Sequence, residues 1–421
     1  MVNGNLKRMR QGDGGSDDGV NEQIPIHRTK FPRRNDGPPA YVTGTGSASE
    51  EDTSKHDGGL VDHPLNLCPE PPNEDHTHDV MDSLLDFTSS CSQDEISSRF
   101  DSISSALLSE YYLSIIHGSS ETSYEILELE FYLQKSGYHE DSFTHGSADQ
   151  EQSGQWYFHR APKRANGSQD GIAATVAGGY RGGTRKGLDL TLGGPVRTKP
   201  SSTTEPRVIL RGGILLRTIR RCHDKKVISG PSLVVDEILR LCNASNINEL
   251  VSAKWQGDIS ALSAPSQPRS TYMYLRKRPA LSPATSRVFR SPRIGLDLSY
   301  PETKGTATHP RVVFVGKLYR HFTHPELLVA NGRTQTFVGL YLALILEKKH
   351  DSRSLKFRHE LGKLTGIKDT TLARYLSDYQ LGFENGKLVN FVGASGKGVS
   401  ASASAYLRMM GTLERTLHEA S

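Results

Sequence analysis

Ten residues, "YEILELEFYL", beginning at Tyr124, limit what this chain can fold into more than any other stretch. The apolar residues are those of a buried strand, yet Glu125, Glu128 and Glu130 sit among them. By strict alternation Ile126, Glu128 and Glu130 share one face, and Leu127, Leu129 and Phe131 the other. Two carboxylates in the middle of such a strand need one of two settings. The strand is an amphipathic edge with its acids in water, the default for charged side chains. Or a carboxylate is held at the rim of a pocket, ready to act as a base. The strand by itself leaves both open.

The rest of the chain narrows the setting. Its 421 residues are enough for two or three ordinary domains, but only 35% are hydrophobic and 7% aromatic. Part of the length therefore carries no core. Residues 1–92, rich in Gly, Asp, Pro, Ser and Asn, read as a disordered tail. Within it "LKRMR" and "RTKFPRR" have the form of nuclear-import signals, and "DHTHD" reads as incidental rather than metal-binding. Cys68, Cys91, Cys222 and Cys242 have neither zinc-ligand nor redox-pair spacing. The N-terminus lacks an apolar signal core, and no run of about 18 apolar residues exists. A soluble, intracellular, nuclear protein is expected. The net charge of +4 hides an asymmetry: from Trp156 to Arg320 there are about 28 Lys and Arg against about 10 Asp and Glu. Such a region is the footprint of a nucleic-acid surface, although an acidic partner of another kind would suit it as well.

Periodicity gives the coarse organisation. Ile96, Phe100, Ile103, Leu107 and Tyr111 recur at helical spacing behind Asp94 and Glu95, so order is expected from Gln93. "QWYFHR", "TRKGLDLTLGG" and "RVILRGGILLRTIRR" read as strands. "SGPSLVVDEILRLCN" reads as a helix opened by Ser229-Gly230-Pro231. Residues 161–179 look like an inserted loop, and 253–291 like an irregular basic insertion. "RIGLDLSY" and "RVVFVGKLY" read as two closing strands. Strands and helices do not alternate regularly, which predicts an α+β domain over 93–332 rather than a doubly wound sheet. Past Gly332 a helical extension is expected over 333–421, with "FRHELGKLTGIKDTTLARYLSDYQLG" (355–382) reading as helix, turn, helix. Gly362, Gly366, Ile367 and Leu372 fall where a DNA-binding helix-turn-helix needs small and core residues. An ordinary helical hairpin fits the same pattern. "GASGKGVS" is no phosphate loop, because no glycine stands five residues before Gly396.

One ordered set of segments carries a resemblance. "ALLSEYY", "ILELEFYL", "EDSFTHG", "GQWYFHR", "KGLDLT", "GGILLRTI", "SGPSLVVDEIL" and "SPRIGLDLSY" follow each other as in the alkyladenine (3-methyladenine) DNA glycosylase family, over about residues 100 to 325. The resemblance implies one mixed domain with a curved antiparallel sheet and flanking helices. It implies an enzyme of base excision repair that flips a damaged purine from duplex DNA and hydrolyses its glycosidic bond. No metal or organic cofactor and no membrane would be involved, and the protein would act as a monomer. It also implies that Glu130 is the catalytic base and Glu128 its structural neighbour. Arg217 in "LLRTI" would help Glu130 hold the attacking water. Tyr132 and His145 would wall the base pocket, with His159 and Asp189 where the family has a tyrosine and an asparagine. A buried Asp189 needs a partner, with Lys186 or Arg185 expected. The family's Thr-x-Arg-Asn segment is replaced here by acidic "GSADQEQSG". Tyr180 in "GGYRGG" is the nearest candidate for its aromatic wedge, beside the candidate DNA contacts Arg181, Arg185 and Lys186. A non-catalytic nucleic-acid-binding protein that kept this fold, or a regulator reading DNA through the helix-turn-helix, would share these features.

Overall fold

The structure, a computed structural model, describes residues 75–90, 92–162, 177–194, 209–279, 286–328, 330–348 and 354–420. The expected disordered tail, its import-like clusters and the body of the loop at 161–179 lie outside these residues, apart from a helix near the end of that tail.

That helix, α1 (Asp75–Leu85), precedes Gln93, so secondary structure starts earlier than periodicity suggested. Next comes α2 (Gln93–Ser109), whose start is fixed by a capping box: the Ser92 hydroxyl accepts from Glu95 N, and the Glu95 carboxylate accepts from Ser92 N. Its apolar stripe, Ile96, Phe100, Ile103 and Leu107, is buried against the sheet. The chain continues through β1 (Tyr111–His117), β2 (Ser120–Lys135), β3 (His139–Glu140), β4 (Trp156–Phe158), β5 (Arg160–Pro162), β6 (Ala177–Tyr180), β7 (Leu188–Leu192), β8 (Leu210–Arg221) and β9 (Val227–Ser229). Helix α3 (Pro231–Leu241) begins with Pro231 in its first turn, as read from the sequence. Then follow β10 (Thr271–Lys277), β11 (Phe289–Ser291), α4 (Pro310–Val315), β12 (Arg320–Phe322), α5 (Arg333–Lys348), α6 (Leu355–Thr365), α7 (Asp369–Asn385) and α8 (Ala403–Glu419).

The result is an α+β fold: one large antiparallel sheet with flanking helices and a helical C-terminal region. Its main path runs β10-β1-β2-β8-β7-β4. Three readings are corrected. The insertion at 253–291 is not wholly irregular, since β10 pairs along the full length of β1. "RVVFVGKLY" is not a strand but holds α4, where His309 caps Arg311 N and Pro310 opens the helix. "RIGLDLSY" forms no strand either; it is a turn with a single bridge from Leu298 to Val392.

Strand β2 is the spine. Its first half pairs with β1, and its second half pairs with β12 at Glu128–Glu130; β8 runs along its other side. The acid-bearing segment is therefore central, and the edge-strand setting is excluded. One apolar cluster lies between the sheet and α2 and α3; another joins α5, α6, α7 and α8 to Phe289, Leu298 and Phe322. Among the described residues, no helix is long and apolar enough to cross a membrane.

Candidate active site around Glu130

A double irregularity between β2 and β8 builds the site. Ile126 pairs with Ile219, Glu128 with Thr218 and Leu129 with Leu216, so Leu127 and Arg217 are both left without a ladder partner. Each is the extra residue of a local bulge. On β2 the bulge resets the alternation. Ile126 packs in the same core as Leu129, Phe131 and Leu133, so it does not share the face of Glu128 and Glu130 as strict alternation predicts. On β8 the bulge lets two successive residues, Arg217 and Thr218, both reach the acids.

Glu128 and Glu130 are 2% and 0% exposed. Glu128 accepts from Arg320 Nε at 2.6 Å, from Arg217 Nε at 3.2 Å and from the Thr218 hydroxyl. Burial works to raise its pKa, but the Arg320 and Arg217 charges and the Thr218 hydrogen bond outweigh it and hold the carboxyl below its ordinary range. Glu130 is held differently. Its Oε2 accepts from the Tyr132 hydroxyl at 2.9 Å and from Arg217 Nη1 at 3.2 Å, and its Oε1 accepts from Ile294 N at 2.7 Å. Arg217 thus bridges both acids with its fork. Burial, followed by the Glu130 charge, pushes the Tyr132 hydroxyl well above its usual pKa, so it stays protonated and donates.

A second buried pair fixes the Ile294 amide. Arg293 Nη1 lies 2.6 Å from Asp141 Oδ2, both side chains are 0% exposed, and the guanidinium stacks 4.5 Å from the Tyr132 ring. It also donates to the carbonyls of Phe131 and Phe314. Three carboxylates, Glu128, Glu130 and Asp141, therefore meet three guanidiniums, Arg217, Arg293 and Arg320, which keeps the interior neutral. Arg320 also ties the acids to the C-terminal helices, donating to Thr336 of α5 at 3.0 Å. Arg293, Arg320, Asp141 and Ile294 were not picked out by sequence reading.

The remaining candidates lie two strands away on the same face. Arg320, Glu130, Leu215, Asp189 and Tyr157 stand in one cross-strand row. Glu130 and Asp189 are thus separated by two strand spacings, about 10 Å, with Leu215 between them. Asp189 is 1% exposed. Its partners are His159 Nε2 at 2.8 Å and Gln150 Nε2 at 3.1 Å, not Lys186 or Arg185 as expected. Gly213 makes room for this group: a Cβ there would lie 2.7 Å from Asp189 Oδ2 and 2.9 Å from Gln150 Nε2. The His145 ring meets the His159 ring edge-on at 4.7 Å. Burial, followed by the His159 charge, lowers the His145 pKa to about 4, so His145 is neutral at pH 7. Gln150 Oε1 is buried with no hydrogen-bond partner among the described residues, an acceptor left over beside Asp189.

The four candidate DNA contacts fare unequally. The Tyr180 ring is covered by Arg160 at 4.4 Å and packs edge-on against Phe158, so it does not stand free as a wedge. Arg181 Nε is bonded to Arg160 O at 3.0 Å, and Lys186 is paired with Asp236. Arg185 is exposed. A cleft lined by Asp82, Gln152, Asp258 and Ser260 holds none of the predicted residues.

No family model matches the chain. An uncharacterized protein of Acanthamoeba polyphaga mimivirus is 28% identical over 206 residues, which cover 48% of this chain and 81% of the viral protein.

Proposed function

We propose that this chain is a monofunctional DNA glycosylase that flips alkylated or deaminated purines out of duplex DNA and hydrolyses their glycosidic bond. The observation that carries this reading is the state of Glu130. It is a wholly buried carboxylate given three donors, Arg217, Tyr132 and the Ile294 amide. An ionised carboxylate offers about four acceptor positions, so roughly one remains, on Oε1. A water there would pass its proton to Glu130 as its oxygen attacks the sugar's anomeric carbon. The carbon–nitrogen bond would break with its electrons leaving on the base. Arg217 holds Glu130 in place, and the carboxylate stabilises the cationic sugar of the transition state.

The extruded base would lie over Leu215, between Tyr132 and the His145–His159 pair. Asp189 accepts from His159 Nε2 and Gln150 Nε2, which fixes both side chains beside the base. The unused Gln150 Oε1 is an acceptor that favours a base presenting an exocyclic amine.

The test is excision from duplex oligonucleotides carrying 7-methylguanine or hypoxanthine, by the wild type and by Glu130→Gln. The substitution keeps shape and removes the base. Excision is expected to fall at least about a hundredfold, the scale of general-base catalysis, with duplex binding and folding retained. Near-normal excision by the variant ends the proposed mechanism, and a wild type inert on both lesions ends the glycosylase reading.

A further inference from the structure

The C-terminal helices carry a surface that the chemistry at Glu130 does not use. Helices α6 and α7 are joined by Gly366, Ile367 and Lys368, and Gly366 ends α6 in the left-handed conformation at φ 63°. A Cβ at Gly362 would lie 3.6 Å from Leu372 Cδ2 and 3.7 Å from Ile367 O, so a small residue stands where the two helices meet. Leu361, Thr365, Ile367, Leu372 and Tyr375 are all at most 6% exposed. Helix α5 packs across both: Phe337 meets Tyr375 edge-on at 5.3 Å, and Tyr341 meets Phe357 at 5.8 Å. This is a three-helix core around a helix-turn-helix, not a loose hairpin.

Helix α8 covers one side of α7. Tyr379 donates to Glu414 at 2.9 Å, Arg408 donates to Asp378 at 2.9 Å, and Thr412 donates to Gly382 O at 3.0 Å. The side it leaves open carries Thr370, Arg374 and Ser377, all exposed and spaced to share one helical face, with exposed Lys368 just before the helix and Lys363 on α6. Asp369, the one acid at this end, is taken by Arg358, whose Nη2 lies 2.8 Å from each carboxylate oxygen. Lys363, Lys368 and Arg374 form no ion pair among the described residues.

We propose that α7 is a recognition helix that enters the major groove of duplex DNA. Lys368 and Arg374 contact phosphates or base edges, while Thr370 and Ser377 offer hydroxyls to base edges. The second helix of such a unit is the one that reads DNA, and here its open face is polar, basic and relieved of its single acid. This surface is independent of Glu130 and binds undamaged duplex.

The test uses the full chain and an undamaged fluorescent duplex, with affinity followed by anisotropy over a range of salt. Lys368→Ala with Arg374→Ala is expected to weaken binding about tenfold and to reduce the slope of log affinity against log salt by about 2, one unit for each lost phosphate contact. Both side chains are exposed, so an unchanged thermal unfolding curve is the folding control. Thr370→Glu, which places a charge in the groove without touching the core, is expected to weaken binding in the same way. An unchanged affinity and slope in both variants overturns the proposal. Glu130→Gln in the same assay must bind as the wild type does, so a failed glycosylase reading leaves this result intact.

Discussion

Two clusters along the same strand pair, β2 and β8, are built from the same three residue types. Glu130 has Tyr132 and Arg217; Glu237 of α3 has Tyr124, Arg221 and Arg240. In the Glu237 cluster, Oε1 accepts from Tyr124 at 2.6 Å, from Arg221 and from Arg240 Nη2 at 2.8 Å, while Oε2 accepts from Arg240 Nε at 2.9 Å. Four donors fill about four acceptor positions, and Arg240 opens the cluster to water with a side chain 58% exposed. Glu130 has three donors, no exposed arginine, and partly exposed Tyr132 and Ile294 as its way out. Glu128 also has three, but its partners Arg320 and Thr218 are 0% exposed. A glutamate beside a tyrosine and an arginine is thus no signature of a site. What distinguishes Glu130 is spare acceptor capacity inside a water-poor neighbourhood.

The comparison breaks most visibly at the arginines. Arg217→Leu leaves Glu128 and Glu130 buried with Arg320 as the remaining close counter-charge. A loss of about 3–5 kcal/mol in unfolding free energy is expected from urea titration, the usual result of stranding a buried charge. Arg240→Leu is expected to cost about 1 kcal/mol or less, because half-exposed pairs contribute little. Equal losses would show that the interior around Glu130 is not electrostatically closed.

The tyrosines sharpen the contrast. Tyr132→Phe and Tyr124→Phe each delete one hydroxyl donor to a glutamate, and each is expected to cost about 1 kcal/mol in stability. Their effects on excision should differ. Tyr132→Phe keeps the ring that walls the proposed pocket but frees a second position on Glu130 Oε2, so the single-turnover rate is expected to fall several-fold. Tyr124→Phe should leave that rate unchanged. A rate loss shared by both would trace to general destabilisation rather than to Glu130.

How much of this was legible varies with the range of the interaction that decides each element. Helix α2 was readable from its apolar spacing behind Asp94 and Glu95, and helix α3 from its N-terminal proline, because both signals are local. The pair α6–α7 was readable from Gly362 and Gly366. Helix α4 was not, since its Val-Val-Phe-Val run looks like a strand and a His309 cap with Pro310 decides otherwise. The face of Ile126 was misread because a bulge, set by pairing with β8 some 90 residues away, resets the alternation. Arg293 and Arg320 were missed although each interrupts an apolar run, in "PRIGL" and "LYRHF". A guanidinium among apolar neighbours needs a buried acid, and both had one: Asp141 for Arg293 and Glu128 for Arg320.

Acid provides the gentlest test of the difference. Burial works to raise the Glu237 pKa, but hydrogen bonds from Arg240, Tyr124 and Arg221 bring it down to about 2. The folded value lies below the unfolded one, near 4.3. Glu237 therefore contributes stability at neutral pH that is intact above about pH 4.5 and is lost as pH falls toward 2. With water screening the cluster through Arg240, the loss is expected to be on the order of 1–2 kcal/mol. Glu128, also held below its ordinary range, adds a loss of the same sign in acid. Urea midpoints measured from pH 7 to pH 3 should fall for the wild type and fall less steeply for Glu237→Gln, which has no proton to take up. If the two slopes coincide, the Glu237 cluster is too exposed to act as a closed ion pair. Acid sensitivity would then belong to the interior around Glu128.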